Sequence, residues 1–363
     1  MVDQRKYWIG FNLVKGIGAV RFQQIQSYFG DLSIAWHAPT EAFQEIGLPG
    51  RVLKNFFSLR NEINLDQMYE SILSTNTTVL TLLDEQYPRL LKEIDQAPPV
   101  IYVNGTLTPA DDFAVAMVGT RMVTAYGQQV TRDTSTFLAG HGLTIVSGLA
   151  RGVDALAHQH AIQAGGRTIA VLGSGVDVIY PPEHRKLAEA IEENGAIISD
   201  YPLGTQPEGI NFPPRNRIIS GLSLATIVVE AGERSGALIT ADFAVEQGRD
   251  VFAVPGNVFS PASRGTNRLI QKGAYAMVSP QDILDVLDLS QVEDYKDARQ
   301  SLPADTTEAR ILQVMGYEPI HVDEICHESG IPVEKVSAAL TMMELKGMVQ
   351  HVGGMRYVAL SGR

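Results

Sequence analysis

The chain has 363 residues, 45% of them hydrophobic and 19% charged, which is the composition of an ordinary folded protein with room for two or three domains. Its net charge of −12 excludes broad adhesion to polyanions, and its single cysteine, Cys326, excludes an internal disulfide framework. With no signal-type start and no apolar run long enough to cross a bilayer, a cytoplasmic protein without membrane contact is expected.

The charge is distributed unevenly along the chain. Residues 1–112 carry 9 basic and 13 acidic groups, residues 113–278 carry 13 and 14, and residues 279–363 carry 7 and 14. Eleven of the thirteen basic residues in the middle part are arginines, and they gather at loop positions. A local cationic groove on an acidic protein is therefore expected.

Residues 1–75 have helical periodicity and predict a small helical domain. Tyr7–Leu13 and Arg21–Phe29 flank the turn Lys15–Gly18, and a weaker second copy surrounds residues 47–50. The turn resembles that of a helix–hairpin–helix, whose amides can hold a DNA backbone phosphate. A helical packing domain that uses glycine only to turn is at least as good an interpretation, because few basic residues surround the turn.

From Phe113 onwards, apolar runs of strand length alternate with helical segments. This pattern predicts an α/β fold with a mostly parallel sheet covered on both faces. Residues 76–112 connect the helical domain to this fold and contain a short predicted strand, Thr78–Leu82, and the stretch Pro98–Val103. The strand-like runs of the sheet are residues 113–118, 143–146, 168–172, 196–198, 225–229, 251–254 and 275–278.

A loop of small residues follows nearly every one of these strands. Because ligands of open α/β sheets bind beyond the carboxyl ends of the strands, these loops are expected to converge. None is a standard nucleotide motif: Ile179 replaces the third glycine of the dinucleotide motif, and no loop ends in the Gly-Lys-Ser/Thr of a P-loop. Together they predict an anion site of backbone amides and guanidinium groups. The loops are Gly119–Arg121, Ser147–Gly152, Gly173–Asp177 and Ala231–Gly236.

The stretch Asn211–Arg217 combines an aromatic, two prolines and two arginines. Because proline holds the residue before it in an extended conformation, residues 211–214 are predicted to be stiff and non-helical, with a helix following. Arginines supply forked donors for phosphate, and a rigid Phe212 offers a stacking face for a base. The alternative is a loop that caps a core helix, with solvated arginines.

The last part of the chain predicts a linker and a small domain. Residues 288–304 are polar and strand-poor, and residues 305–363 read as three helices and a glycine-turn hairpin, which together make a winged helix. The net charge of −7 over residues 279–363, from 7 basic and 14 acidic groups, disfavours sequence-specific reading of duplex DNA, so a protein contact is an equally good interpretation. The predicted helices are Glu308–Met315, Val322–Glu328 and Val333–Lys346.

Catalysis has little support in the sequence. His158 and His160 lie two residues apart, on different faces of a helix, which excludes a two-histidine metal site. Glu230 is the one carboxylate near the predicted site, and pairing with Arg215 or Arg217 is the better interpretation of it. A non-enzymatic protein without metal or cofactor is expected.

Four motifs resemble the DNA-processing protein A family (DprA, also called Smf), and the match spans at least residues 80–280. The resemblance implies an extended Rossmann fold that binds single-stranded DNA without sequence specificity, forms a homodimer and loads the RecA recombinase during natural transformation. Arg121 would contact a phosphate and Phe212 a base. The motifs are Val118–Arg121, Ser147–His158, Val171–Pro181 and Asn211–Ser223.

The DNA-binding residues that follow from the loops and the resemblance are Gly119, Thr120, Arg121, Ser147, Gly148, Gly173, Ser174, Gly175, Phe212, Arg215, Asn216, Arg217, Ser235 and Gly236. Some family members carry a lysine three residues before the aromatic, where this chain has Gly209. That phosphate contact would be missing, or supplied by Arg215, Arg217 or another loop. For the dimer, Leu269 and Ile270 of the helix 265–272, with the edge strand 275–278, are the expected interface, unless a terminal domain covers that edge.

Two rival functions remain. One is a Rossmann-type nucleotide-binding protein or an enzyme related to nucleoside monophosphate phosphoribohydrolases, which carry a Pro-Gly-Gly-x-Gly-Thr-x-x-Glu loop. The equivalent residues 230–237 lack that core, and Ile239–Thr240 follow where the enzyme has its glutamate. The other rival is a transcription regulator acting through the winged helix, which the acidic tail disfavours.

Overall fold

The computed structural model describes residues 4–289, 307, 310–311, 314–315, 320–345 and 349–359. The chain forms two compact units, Met1–Leu287 and Asp288–Arg363. Residues on both sides of position 75 share one hydrophobic cluster, so the expected boundary between domains 1–75 and 76–287 stays a prediction. The linker predicted at 288–304 lies outside the described residues except for 288–289.

Helices fill the N-terminal region around an aromatic core. Phe11 stacks on Phe56 with ring centroids 5.1 Å apart and meets Trp36 edge-on at 5.3 Å. Polar side chains begin two of the helices: Asp31 accepts a hydrogen bond from Ser33 N, and Asn64 accepts from Asp66 N. The helices are α1 (Arg5–Leu13), α2 (Ala19–Phe29), α3 (Leu32–His37), α4 (Thr40–Glu45), α5 (Gly50–Glu62) and α6 (Leu65–Leu73).

The described part of the chain contains a nine-stranded, mostly parallel sheet in the order β1-β2-β6-β5-β4-β3-β7-β8-β9. The pairs β1–β2 and β2–β6 are antiparallel, and the others are parallel. The strands are β1 (Thr78–Thr81), β2 (Val100–Gly105), β3 (Ala114–Val118), β4 (Thr144–Ser147), β5 (Thr168–Val171), β6 (Gly195–Ser199), β7 (Ala225–Val228), β8 (Asp250–Ala253) and β9 (Tyr275–Ala276). The predicted strand 275–278 is thus two residues shorter than expected.

Helices connect and cover the strands, which explains why β3 to β7 are buried along their whole length and mostly apolar. This architecture confirms the predicted α/β fold. The helices are α7 (Arg89–Lys92), α8 (Ala125–Gly140), α9 (Val153–Gln163), α10 (Arg185–Asn194), α11 (Phe212–Gly221), α12 (Gly236–Glu246), α13 (Arg264–Gln271) and α14 (Gln281–Val286).

The order in which the strands are added to the sheet reverses at β3. From β3 the chain adds β4, β5 and β6 on one side, and it later places β7, β8 and β9 on the other. A crevice opens where loops leave neighbouring strands in opposite directions. Here the loops after β3 and β7 meet, because Thr120 N donates to Glu230 O at 2.8 Å.

The prediction that residues 211–214 are non-helical was wrong. A 3₁₀ turn covers Gly209–Asn211, and α11 begins at Phe212 itself. Pro213 and Pro214 fall in the first turn of the helix, where backbone N–H groups have no intrahelical partner and proline is tolerated.

The second unit contains the expected winged helix. Strand β10 (Ile320–His321), helices α15 (Val322–Ser329) and α16 (Val333–Leu345), and the hairpin β11 (Val349–Gly353) and β12 (Arg356–Ala359) pack around Ile325, Val336 and Leu340. The strands form an antiparallel sheet in the order β10-β12-β11. The predicted helix Glu308–Met315 falls largely outside the described residues. Within the described ranges, no helix is both long and apolar enough to span a membrane.

Candidate nucleic-acid interface

An open cavity of about 880 Å³ lies at the carboxyl ends of β3 and β7. Eight of the fourteen predicted DNA-binding residues line it, and they come from loops and helix starts far apart in sequence. These eight are Gly119, Thr120, Arg121, Phe212, Arg215, Asn216, Ser235 and Gly236.

The buried guanidinium of Arg215 forms the floor of the cavity. This side chain is only 5% exposed, and its Nη1 donates to Gly148 O at 2.9 Å and also to Val171 O. A Cβ at Gly148 would lie 2.6 Å from the guanidinium, so the loop after β4 needs glycine there. Burial lowers the pKa of Arg215 to about 10, and Asp154 opposes that shift, so the group stays charged at neutral pH.

Asp154 interacts electrostatically with this arginine, and it is not among the site residues predicted from the sequence. Its Oδ2 accepts from Gly148 N at 3.1 Å and from Ala150 N at 3.4 Å. Burial raises the pKa of Asp154, while Arg215 and these backbone donors counteract the rise. Its place in the first turn of a helix behind a glycine-rich loop was the available signal.

Two aromatic rings form one wall of the cavity. The rings of Phe212 and Tyr180 lie 5.7 Å apart at 41°. Phe212 rests on the backbone of Gly173, where a Cβ would come within 2.9 Å of its Cδ1. Tyr180 is 38% exposed and was also missed, because its contact with Phe212 is tertiary.

Exposed arginines occupy the rim. Arg121 and Arg234 line the cavity with exposed side chains, and neither has an ion pair within the described residues. Ser235, which follows Arg234, begins α12 by accepting a hydrogen bond from Ala237 N at 3.3 Å. Gly209, the position at which a lysine was expected to be missing, also lines the cavity.

Six of the predicted residues do not line this cavity. Ser147 donates its hydroxyl to Met117 O at 2.6 Å, Ser174 donates to Val178 O at 2.7 Å, and Arg217 pairs with Asp200 at 2.8 Å. These side chains thus make structural contacts and do not face the cavity. The other three are Gly148, Gly173 and Gly175, whose backbones make the close approaches of those loops.

Glu230 does not pair with Arg215 or Arg217, so that interpretation was wrong. Its carboxylate accepts from the backbone N of Thr124 at 2.9 Å and from the hydroxyl of Thr124. It therefore fixes the start of α8 rather than facing the cavity as a base.

His158 lies beneath the cavity floor. The Thr168 hydroxyl donates to Ile145 O, so it accepts from Nδ1–H of His158 at 2.6 Å. Burial, then the nearby His184 and Arg215, lower the pKa of His158 to about 3, so it is neutral at pH 7. Across the residues that the structure covers, no cluster of three or more His, Cys, Asp or Glu side chains is placed to hold a metal.

Known proteins share this architecture. Residues 78–288 match the model of DNA recombination-mediator protein A, and residues 296–355 match that of the DprA winged helix domain. Protein Smf of Synechocystis sp. is 38% identical, over 98% of each chain.

Two solved structures are also similar. The structure of DNA processing protein A from Streptococcus pneumoniae has a TM-score of 0.68 and 34% identity, covering 77% of this chain and 97% of that one. A structure of the Helicobacter pylori protein, described for its single-stranded DNA binding mode, has a TM-score of 0.53 and 31% identity, covering 58% and 95%. The chain belongs to the DNA recombination-mediator protein A family, also known as DprA or Smf.

Proposed function

We propose that the cavity binds single-stranded DNA without sequence preference, and that the protein, as a homodimer, loads the RecA recombinase onto such DNA during natural transformation. The observation that carries the DNA part is the exposed Arg121 beside the aromatic ring of Phe212 in one open cavity. The description of the Helicobacter pylori relative supports it. Family membership supports the RecA part.

The cavity offers contacts to phosphate and to a ring face, which are common to all nucleotides. Arg121 and Arg234 supply charge, and Phe212 supplies a stacking surface. The side-chain amide of Asn216, which is suited to reading base edges, instead donates to Gly236 O at 3.3 Å. Little sequence preference is therefore expected.

The recessed ring favours a single strand over a duplex. Phe212 is half-buried within the cavity, so a base can stack on it only after leaving its neighbours. A duplex has to lose pairing and stacking for this, at a cost of a few kcal/mol, whereas a single strand does not.

No catalytic role is part of the proposal. The carboxylate of Asp154 is held by backbone donors and faces Arg215, and that of Glu230 is held by Thr124. Both carboxylates therefore have structural roles, and neither is placed to activate water. These contacts support a binding site rather than a hydrolytic one.

The test is a titration of labelled oligo-dT, followed by fluorescence anisotropy. Arg121→Ala should cost about 1.5–3 kcal/mol of binding, because it removes a charge-assisted contact to phosphate. Arg132→Ala is the matched control, since this exposed arginine lies outside the cavity and pairs with Asp133 at 3.2 Å. Phe212→Ala should cost about 1–3 kcal/mol with an unchanged salt dependence.

Two outcomes would contradict the DNA part of the proposal: normal binding by Arg121→Ala, or binding of blunt duplex as tight as that of a single strand of equal length. The RecA part is tested separately, by the rate at which RecA filaments form on DNA already covered by single-strand-binding protein. An unchanged rate in the presence of the protein would refute it.

A further inference from the structure

The basic residues of the N-terminal region are concentrated in two segments. Residues 14–30 and 46–61 contain five of the nine basic residues found in residues 1–112, and none of the thirteen acidic ones. One of the five, Arg60, is used internally, because its Nη1 donates to Trp36 O and Ala38 O. Lys15, Arg21, Arg51 and Lys54 remain.

The fold brings these four residues together. The turn between α1 and α2 lies against α5: Asn55 Nδ2 donates to Lys15 O at 2.8 Å, and a Cβ at Gly16 would lie 3.0 Å from Val52 Cγ2. Arg51 and Lys54 each directly precede one of those two contact residues and, three positions apart on a helix, lie on one face. Arg21 reaches back to the turn, with its Nη1 2.6 Å from Gly16 O.

The resulting cationic surface, made of Lys15, Arg21, Arg51 and Lys54, is available for binding. Lys15, Arg51 and Lys54 are exposed, Arg21 is partly exposed, and none of them has an ion pair within the described residues. On a chain of net charge −12, an unpaired group of four cations is a local exception. The sequence alone showed few basic residues around the turn, because Arg51 and Lys54 come from another helix.

The cationic surface lies at the same edge of the sheet as the cavity. Asn12, at the end of α1, donates its amide to Asp200 O at 3.2 Å and accepts from Tyr102 Oη at 3.0 Å. Asp200 directly follows β6, at the carboxyl end of the parallel strands. Arg217, on the helix that carries Phe212, pairs with the same Asp200.

We propose that the cationic surface is a second contact for the phosphodiester backbone of DNA, which holds the part of the nucleic acid that extends beyond the cavity. Its charge complements phosphate, it lies at the edge where the cavity opens, and none of its four residues is an aromatic that could stack on a base. It therefore acts by charge alone. This inference rests on the proposed function in one respect: the cavity holds the same DNA molecule.

The test compares oligo-dT of about 6 nucleotides, on the order of one small binding site, with oligo-dT of about 30. The variant carries Lys15→Gln, Arg51→Gln and Lys54→Gln in the full chain. It should bind the short strand like the unaltered protein and the long strand at least tenfold more weakly. The slope of log affinity against log salt should fall in magnitude by about 2, because each lost phosphate contact removes about 0.7.

A matched variant, Arg132→Gln, Arg185→Gln and Lys186→Gln, removes the same charge from exposed positions outside both the cavity lining and the cationic surface. It should bind both strands normally; an equal loss in this control would overturn the proposal. A second substrate, a duplex of about 24 base pairs with a single-stranded tail of about 6 nucleotides, tells whether the contacted backbone is double-stranded. If it is, the triple variant should bind this substrate more weakly than the unaltered protein does, with a smaller salt dependence of its affinity. Normal affinity of the triple variant for both long substrates would also overturn the proposal.

The two proposals fail in different ways. If Arg121→Ala binds the short strand normally, the assignment of the cavity fails whatever the triple variant does. If Arg121→Ala weakens the short strand and the triple variant leaves both long substrates unaffected, the cavity stands and the cationic surface is not a DNA contact.

Discussion

Arg215 connects three parts of the site that are distant in sequence. Its guanidinium bonds the carbonyl groups of Gly148 and Val171, faces Asp154, and lies 5.9 Å from the centre of the Phe212 ring. The residue therefore positions the cavity rather than offering its charge to a ligand. Both arginines of the stretch 211–217 thus have structural contacts, and the exposed arginines of the cavity come from other loops.

The variant Arg215→Ala should unfold easily, because it leaves the buried Asp154 without its counter-charge. The variant also loses the hydrogen bonds to the carbonyl groups of Gly148 and Val171, and a hydrogen bond of this kind to a charged group contributes about 1.5–3 kcal/mol to the free energy of unfolding. Urea denaturation measures this, and Arg121→Ala, at an exposed position, should stay within about 0.5 kcal/mol of the unaltered protein. Equal stability of the two variants would show that the buried guanidinium contributes nothing to stability.

His158 should make the protein sensitive to mild acid. Its pKa in the folded state, about 3, lies below the ordinary 6.5, so only the unfolded chain takes up the proton as pH falls. The stabilising contribution is complete above pH 6.5 and is lost progressively towards pH 3. By about pH 5 the loss should reach about 2 kcal/mol.

The measurement is urea unfolding of His158→Gln at about pH 7 and pH 5, the range in which an ordinary histidine titrates. The glutamine variant should lose less stability between these pH values than the unaltered protein. His141→Gln, at an exposed position, should keep the full difference. If His158→Gln and the unaltered protein show the same difference, another group is responsible.

The secondary-structure elements that depend on local sequence pattern were predicted from the sequence. The strands β3 to β8 and the loops behind them followed from apolar runs and small residues, because buried parallel strands read as continuous apolar segments. The start of α11 was placed wrongly, since proline is compatible both with an extended segment and with a first helical turn. The direction of side chains could not be predicted in the same way. Nothing in the sequence indicated that the hydroxyl groups of Ser147 and Ser174 donate to the carbonyl groups of Met117 and Val178 instead of facing the cavity.

The winged helix should be dispensable for binding a single strand. Residues 300–363 carry 5 basic and 8 acidic groups, so the net charge of this part does not attract the DNA backbone. A chain shortened to residues 1–299 should bind oligo-dT with affinity unchanged within about threefold, or 0.6 kcal/mol. A tenfold loss would instead make the winged helix a DNA-binding domain.

At the scale of the whole molecule, an acidic protein can hold DNA when its cations are segregated. The rim arginines of the cavity and the cationic surface of the N-terminal helices come from separate segments, and the fold places both at the carboxyl edge of one sheet. Neither group was evident from net charge. Only the distribution of arginine in the middle part of the chain signalled the first of them.

The edge of the sheet at β9 is the predicted site of dimer assembly. Strand β9 is two residues long and ends one side of the described sheet, next to β8. Near this edge Tyr275 is 46% and Val278 79% exposed. An open strand edge with apolar neighbours has to be covered or paired, and a two-fold dimer would do this. Leu269 packs on the hydrophobic cluster of the sheet, whereas the partly exposed Ile270 is the sharper probe of an interface.

Ile270→Glu should therefore produce a folded monomer, because a charge in an apolar interface costs more than the contact contributes. Sedimentation velocity measures the change, with an unaltered circular dichroism spectrum as the check on folding. Val245→Glu, which alters an exposed valine on α12, should leave the assembly intact. The monomer should also lose more affinity for long oligonucleotides than for short ones, since two linked cavities raise the effective concentration of a shared strand. If the unaltered protein sediments as a monomer at about 50 µM, a concentration at which even modest interfaces form, the dimer does not exist.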